Sequence, residues 1–156
     1  MSLEIERKYL VKTGLWRPAG AGVRYRQGYL SLVKERLVRV RIAGNRGFLT
    51  IKGVAAGISR LEFEYPIPRE DAAVLLEELC ERPLIEKTRH REMVAGKTWE
   101  IDVFHGDNDG LVLAEIEITS PAERVALPPW VGDEVSNDPR YFNNNLVAHP
   151  YKQWRG

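Results

Sequence analysis

The chain has 156 residues and nearly balanced charge, with 23 Lys and Arg against 22 Asp and Glu side chains and a net charge of +1. This length suits one domain with a real core, and we expect a single domain over residues 1–156. The balanced charge gives no global field for nucleic acid or an anionic membrane, so neither is expected as a partner. The single cysteine excludes an internal disulfide, and no signal core or membrane-length apolar run is present, which favours a cytoplasmic protein.

Most predicted elements are β-strands, because apolar and polar residues alternate in one segment after another. The first eight residues alternate and run on to Val11, and the Gly in the next strand leaves its register open. The predicted strands cover residues 1–11, 23–32, 36–43, 48–53, 60–67, 84–94, 97–104 and 111–119. Short turns join many of them, so we expect hairpins.

One long helix is predicted over residues 70–82, where the apolar residues recur at helical spacing and Pro83 stops the helix. A helical turn is possible at 12–16, and prolines open two short helices at 121–127 and 140–148. The Asp- and Asn-rich loop at 106–110 does not match a calcium-binding loop, since the first ligand position is His105 and the twelfth is Ile116. We interpret it as a connection between strands.

The polar faces of these strands carry pairs of like charges. In one strand, alternation indicates a solvated edge, but here acids occupy some strands and bases others, so the charged faces line a common interior. We therefore predict an α+β, mainly β fold: a closed eight-stranded antiparallel barrel with a charged lumen, whose apolar outer wall is covered by helices or a partner subunit. The charged residues of this parity are the acids Glu4, Glu6, Glu62, Glu64, Glu100, Asp102, Glu115 and Glu117, and the bases Lys8, Arg39, Arg41, Lys52, Lys87, Arg89 and Arg91.

A charged lumen of this kind suits a metal–polyphosphate complex. Clustered carboxylates repel one another unless a hard divalent cation lies among them, and oxygen ligands favour Mg²⁺, Mn²⁺ or Ca²⁺ over zinc. Paired Lys and Arg side chains bind phosphate oxygens.

The motif Glu4-Ile5-Glu6-Arg7-Lys8 resembles the Glu-x-Glu-x-Lys signature of the CYTH superfamily, the triphosphate tunnel metalloenzymes. Further motifs resemble those of that family in the same order, and residues 134–146 are similar to its closing segment. These motifs are Arg39-Val40-Arg41, Lys52, Glu62-Phe63-Glu64, Lys87-Thr88-Arg89, Asp102 and Glu115-Ile116-Glu117.

The resemblance implies an eight-stranded tunnel and a hydrolase that needs Mg²⁺ or Mn²⁺ and acts on a triphosphate. The metal-binding residues implied are Glu4, Glu6, Glu62, Glu64, Glu115 and Glu117. The substrate-binding residues are Lys8, Arg39, Arg41, Lys52, Lys87 and Arg89, with Arg91 added by parity. The residues expected to take part in catalysis are Glu4, Glu6, Lys8, Lys52, Lys87 and Asp102. The expected chemistry is metal-assisted phosphoryl transfer to water.

The substrate and the assembly remain open at this point. A compact tunnel without a base-reading element favours inorganic triphosphate, cleaved to pyrophosphate and phosphate. The alternatives are a hydrolase or cyclase acting on thiamine triphosphate or ATP, or a non-catalytic polyphosphate-binding module, which the acidic pairs disfavour. An organic group would stack on aromatic side chains at a tunnel mouth, for which the candidates are Trp16, Tyr25, Tyr29, Trp130 and Trp154. The apolar outer faces predict a homodimer, and the three histidines, His90, His105 and His149, are interpreted as structural or surface residues.

Overall fold

The computed structural model describes residues 3–154, which form nine strands and two short α-helices. Ala95 and Gly96, both with positive φ, make the tight turn from Val94 to Lys97. The strands are β1 (Leu3–Val11), β2 (Val23–Ser31), β3 (Leu37–Ala43), β4 (Arg46–Lys52), β5 (Ser59–Ile67), β6 (Ile85–Val94), β7 (Lys97–Phe104), β8 (Val112–Glu117) and β9 (Val131–Glu134). The helices are α1 (Arg69–Glu78) and α2 (Asn143–Ala148), with 3₁₀ turns at Gly106–Asn108, Pro139–Tyr141 and Tyr151–Gln153.

Eight of the strands close into an antiparallel barrel in the order β5-β4-β3-β2-β6-β7-β8-β1. The first part of β1 completes the ring by pairing with β5, where Leu3 lies opposite Leu61 and Ile5 opposite Ser59. The last part of β1 pairs with β9 instead, with Val11 opposite Val131. The predicted closed eight-stranded barrel is confirmed, with β9 as an additional strand.

The polar faces point into the barrel and the apolar faces point out. Charged side chains such as Lys87 and Asp102 are buried at the inner face. Outside, Trp99 and Ile101 of β7 form an apolar cluster with Trp16 and Trp130. A second outer cluster places Val40 and Ile42 of β3 against Ala72 and Leu76 of α1. The charged lumen that the alternation predicts is therefore present, with apolar packing around it.

One end of the lumen is closed by apolar side chains. Tyr29, Ile85, Phe104 and Leu113 continue the inward parity of their strands at that end, and they pack against Leu146 of α2. The charged part of the lumen thus opens toward the other end.

Gly28, which leaves the register of β2 open in the sequence, lies opposite Val40. A Cβ at Gly28 would lie 2.6 Å from Leu84 Cδ2 and 3.0 Å from Cys80 Cβ. Glycine is needed here because the segment after α1 crosses close to the backbone of β2.

Several predicted helices differ in the structure. The helix predicted at 70–82 runs over Arg69–Glu78 and stops early, because the N–H of Glu81 donates to the carbonyl of Tyr29 in β2. The prediction of a helix at 121–127 is wrong, since that segment forms turns and irregular chain. The predicted helix at 140–148 is divided by Phe142, whose backbone is extended. Residues 12–16 contain only a turn, and residues 1–2 of the predicted first strand lie outside the described part of the chain.

Part of the outer wall remains exposed. On β4 and β5 the outward side chains of Ile51, Leu61, Phe63 and Tyr65 are 36–53% exposed. Exposed apolar surface of this kind is typical of protein interfaces, but the homodimer that the sequence predicts stays a prediction. Neither helix of the described chain has the length and apolar character that a membrane crossing requires.

Candidate active site

The lumen contains a polar cavity of about 310 Å³ lined by inward side chains of the barrel strands. Strand order brings the acidic pairs of β8, β1 and β5 onto three adjacent strands, although they are far apart in the sequence. We call these six residues the acid wall: Glu115 and Glu117, Glu4 and Glu6, and Glu62 and Glu64. The predicted bases that also line the cavity are Lys8, Arg39, Arg41, Lys52, Lys87, Arg89 and Arg91.

Asp102 is the predicted site residue that does not line this cavity. It is fully buried, and its carboxylate accepts two hydrogen bonds from Arg89 at 2.7 and 2.8 Å. The ammonium of Lys87 lies 2.7 Å from the same carboxylate. Burial opposes the charge of Asp102, but Arg89 and Lys87 outweigh it and hold its pKa below the usual value. Asp102 therefore holds the side chains of Lys87 and Arg89 in place.

The anchored bases differ in their proton affinity. Burial lowers the pKa of Lys87 to about 7, against the attraction of Asp102. Burial also disfavours the charge of Arg89, yet Asp102 and then Glu115 raise its pKa above the ordinary value. Arg89 also contacts Glu115 at 3.3 Å, so it connects Asp102 to the acid wall.

Within residues 3–154, no carboxylate oxygen lies within 4 Å of the charged nitrogens of Arg41 or Lys8, although Lys8 acts on Glu115 through its charge. The Nε of Arg41 donates to Gln27 Oε1 at 2.8 Å, and the Nζ of Lys8 donates to the main-chain oxygen of Tyr141 at 3.2 Å. Burial, followed by repulsion from Arg39 and Arg89, lowers the pKa of Arg41 to about 10. A buried cation without an anionic partner is unfavourable, so these side chains favour an anionic ligand.

In the acid wall, two pairs of carboxyl groups are in hydrogen-bond contact. Glu6 is buried against Glu115, and burial followed by repulsion from Glu115 and Glu4 raises its pKa well above the usual value. Glu62 contacts Glu4, and burial together with this contact raises the pKa of Glu62 to about 7. Burial alone would raise the pKa of Glu4, but contacts with Glu62 and Lys52 outweigh it, and the pKa is lowered. The same holds for Glu115, where Lys8 and Arg89 outweigh burial and lower the pKa. In each pair, the contact therefore favours the protonated form of one member, Glu6 or Glu62.

Lys52 lies within the acid wall, on β4 beside β5. Its Nζ is 3.2 Å from Glu4 Oε1 and 3.3 Å from Glu62 Oε2. Glu64 accepts hydrogen bonds from Thr50 at 3.0 Å and from Arg39 at 3.5 Å. Lys52 and Arg39 therefore compensate part of the negative charge of this wall. The raised pKa values of Glu6 and Glu62 reduce that charge further.

A family model described as the CYTH domain matches residues 2–151. The chain belongs to the CYTH family. An inorganic triphosphatase of Acetivibrio thermocellus is 48% identical over 155 residues, which is 99% of each chain. An inorganic triphosphatase of Nitrosomonas europaea is 38% identical over 150 residues, covering 92% of this chain and 96% of that one.

Solved structures agree with the CYTH assignment. A crystal structure of an inorganic triphosphatase is 35% identical, covers 92% of this chain and 97% of its own, and superposes with a TM-score of 0.66. A putative adenylate cyclase from Bacillus halodurans shares the fold at 17% identity and a TM-score of 0.60, with 77% of this chain and 83% of the other covered.

The family implies a divalent metal, and the donor set of the CYTH lumen fits one. The acid wall offers oxygen ligands alone, as Mg²⁺ and Mn²⁺ prefer. Glu62 Oε2 is buried without a hydrogen-bond donor, since Lys52 approaches it outside hydrogen-bond geometry. The raised pKa values of Glu6 and Glu62 reflect burial and repulsion that a bound cation would relieve. In residues 3–154, no three acidic, His or Cys side chains stand in ligand geometry.

Several lumen residues are additional to those predicted. Arg60 and Gln27 share the inward parity of β5 and β2, which is a signal in the sequence. Asn143 of α2 carries no such signal, yet its Oδ1 accepts from Lys87 at 3.0 Å and from Gln27 at 3.1 Å. Phe142 also lines the cavity, with Lys8 Nζ and the Arg60 guanidinium each 5.8 Å from its ring centroid.

The predicted aromatic candidates for stacking are dispersed. Trp16 and Trp130 belong to the outer cluster around Trp99, and Tyr29 belongs to the apolar end of the lumen. Trp154 packs edge-on against Tyr141 and Tyr151. Tyr25 lines the charged cavity, and Tyr29 reaches the same cavity from the apolar end.

Two of the histidines have contacts outside the lumen. His90 packs against Trp16, and His105 Nε2 lies 2.8 Å from the hydroxyl of Thr88.

Proposed function

We propose that this CYTH protein is a divalent-metal-dependent hydrolase that cleaves inorganic triphosphate to pyrophosphate and phosphate inside the charged lumen. The observation that carries the proposal is the pairing of a six-carboxylate acid wall with buried bases that lack acid partners, in one cavity. The inorganic triphosphatases among its relatives support the substrate. The protein then binds a small anion with no organic group.

Mg²⁺ or Mn²⁺ is the metal we propose, held by Glu4, Glu6, Glu62, Glu64, Glu115 and Glu117. When bound, a divalent cation supplies Lewis-acid polarisation of phosphate oxygens. Without a cation, these glutamates would repel the phosphate oxygens of the substrate.

The bases bind and orient the triphosphate. Lys8 and Arg41 have no ion pair in the described chain, so their N–H groups are available to phosphate oxygens, and we add Arg60 to this set. Arg39, Lys52 and Arg91 lie nearby with carboxylate partners that phosphate can replace. Guanidinium groups suit this role because they bind phosphate through two parallel N–H groups.

Lys87 and Arg89 stabilise the charge on the leaving pyrophosphate. Asp102 holds both side chains in place, so they need little reorganisation during the reaction. We assign Asp102 this positioning role in place of a direct catalytic one, since it lies behind the two bases. An arriving polyanion also favours the protonated form of Lys87, whose pKa is about 7 in the free protein.

We assign the orientation of the attacking water to Glu4. Its lowered pKa keeps it ionised at neutral pH, whereas the pKa of its neighbour Glu62 is raised to about 7. An ionised carboxylate accepts hydrogen bonds from water, and in-line attack on the terminal phosphoryl group needs such an acceptor.

Phosphate release measured with malachite green tests this function. Triphosphate, pyrophosphate, ATP and thiamine triphosphate are compared with Mg²⁺, with Mn²⁺ and with EDTA. We expect turnover of triphosphate with either metal and none in EDTA, and an Arg24→Ala variant, altered at an exposed surface ion pair with Glu86, should match the wild type. Preference for ATP or thiamine triphosphate would contradict the inorganic substrate, and binding without turnover would indicate a polyphosphate-binding module.

A further inference from the structure

Tyr25 is buried in the lumen, with 5% of its surface exposed, but it belongs to none of the three apolar clusters of the described chain. Its ring is surrounded by cations instead. The guanidinium carbons of Arg41 and Arg89 lie 4.7 and 4.9 Å from the ring centroid, and Lys87 Nζ lies at 6.0 Å. A large aromatic side chain among like charges calls for an explanation other than core packing.

The face of an aromatic ring attracts cations through its quadrupole without neutralising them. Arg41 and Arg89 repel each other, and the repulsion contributes to the lowered pKa of Arg41. A carboxylate at this place would form an ion pair with Arg41 and compete with phosphate for its N–H groups. A ring supports both guanidinium groups and leaves their charge available.

The hydroxyl of Tyr25 has a separate contact. It accepts a hydrogen bond from Arg91 Nη2 at 3.3 Å, and the Arg91 side chain is 54% exposed. Replacing Tyr by Phe therefore removes the hydroxyl contact and keeps the ring between Arg41 and Arg89.

We propose that Tyr25 is a positioning residue, whose ring holds Arg41 and Arg89 side by side in their charged forms for binding the phosphate groups. The inference rests on the proposed function in that the anion is triphosphate. It assigns the specificity for a polyanion partly to a neutral side chain that contacts the bases.

The test compares Tyr25→Leu with Tyr25→Phe, and with Tyr9→Leu as a matched control. Tyr9 is 5% exposed like Tyr25, but it belongs to the outer apolar cluster, where its ring packs against Trp99. Binding of sodium tripolyphosphate is measured by calorimetry without metal, and KM and kcat are measured with Mg²⁺. We expect Tyr25→Leu to weaken binding and raise KM about tenfold, as expected from the loss of two cation–π contacts, with kcat changed less than about threefold.

Tyr25→Phe should stay within about twofold of the wild type in KM, and Tyr9→Leu should lower the melting temperature without changing KM. Wild-type binding by Tyr25→Leu, or an equal rise in KM for Tyr9→Leu, overturns the inference. If Tyr25→Leu does not fold, Tyr25→Met replaces the ring by an unbranched side chain that adapts to irregular gaps, and it is expected to show the same tenfold loss. The calorimetry distinguishes the two proposals: tripolyphosphate that binds through Tyr25 but is not hydrolysed contradicts the proposed function alone.

Discussion

Replacing Arg41 by Met should stabilise the ligand-free protein while weakening triphosphate binding. The pKa of Arg41 falls from 12.5 to about 10 in the folded protein, which corresponds to about 3 kcal/mol against its charged form. The substitution removes that cost but leaves Gln27 Oε1 without its donor at 2.8 Å, a loss of about 1–2 kcal/mol. The net gain of about 1 kcal/mol should raise the melting temperature by about 2–4 °C for a chain of this size.

Arg89→Met is the matched control, because Arg89 is the neighbouring base that does have acid partners. Its removal takes two hydrogen bonds from the buried carboxylate of Asp102. Removing one partner of a buried ion pair costs about 3–5 kcal/mol, and Lys87 alone then remains beside Asp102. The melting temperature of this variant should therefore fall. Thermal unfolding of the three proteins without ligand measures both changes.

Triphosphate affinity provides the second measurement on Arg41→Met. A buried charge-assisted contact contributes about 2–4 kcal/mol, which predicts a loss of roughly 30- to 1,000-fold in affinity. If Arg41→Met lowers the melting temperature as much as Arg89→Met, the argument that Arg41 is a destabilising, unpaired cation is wrong. If its affinity is unchanged, Arg41 does not contact the substrate.

Three further predictions concern the acid wall. Glu6→Gln keeps the side-chain shape and removes a metal-binding charge, so kcat should fall and the metal concentration for half-maximal activity should rise; a wild-type metal titration would contradict this. Metal and triphosphate together should raise the melting temperature by more than the sum of their separate shifts, because the metal compensates the acid wall and triphosphate compensates the bases. Merely additive shifts would count against a cavity that pairs the acid wall with these bases. Because the pKa of Glu62 is raised to about 7, its stabilising contribution is full below its unfolded pKa near 4.5 and is lost as the pH rises through 7. After discounting for solvent screening, urea unfolding at pH 5 and 7.5 should show a loss of about 1–2 kcal/mol, and an equal loss in Glu62→Gln would refute the assignment.

Alternation in the sequence predicted which side chains face the lumen, because side chains two apart on a strand share a face. It could not predict depth along that face. Asp102 has the predicted parity but lies beneath Lys87 and Arg89, away from the cavity. Parity also carries no information on strand order, so the adjacency of β8, β1 and β5 required the long-range pairings.

Segments without a strong periodic pattern were predicted less well. β9 has only four residues, with Gly132 and two acids, and it forms by pairing with the second part of β1. The segment at 121–127 has a proline suited to a helix start, but no helix forms there. The entry of Asn143 into the lumen depends on the extended backbone of Phe142 before α2, which no local pattern indicates.

The central claim is that the lumen hydrolyses inorganic triphosphate with the help of a divalent metal, and ³¹P NMR of the reaction tests it most directly. With Mg²⁺ present, the triphosphate resonances should disappear while pyrophosphate and phosphate appear in equal amounts, and EDTA should stop the change. Triphosphate that persists with enzyme and metal, or is consumed equally fast in EDTA, would contradict the account.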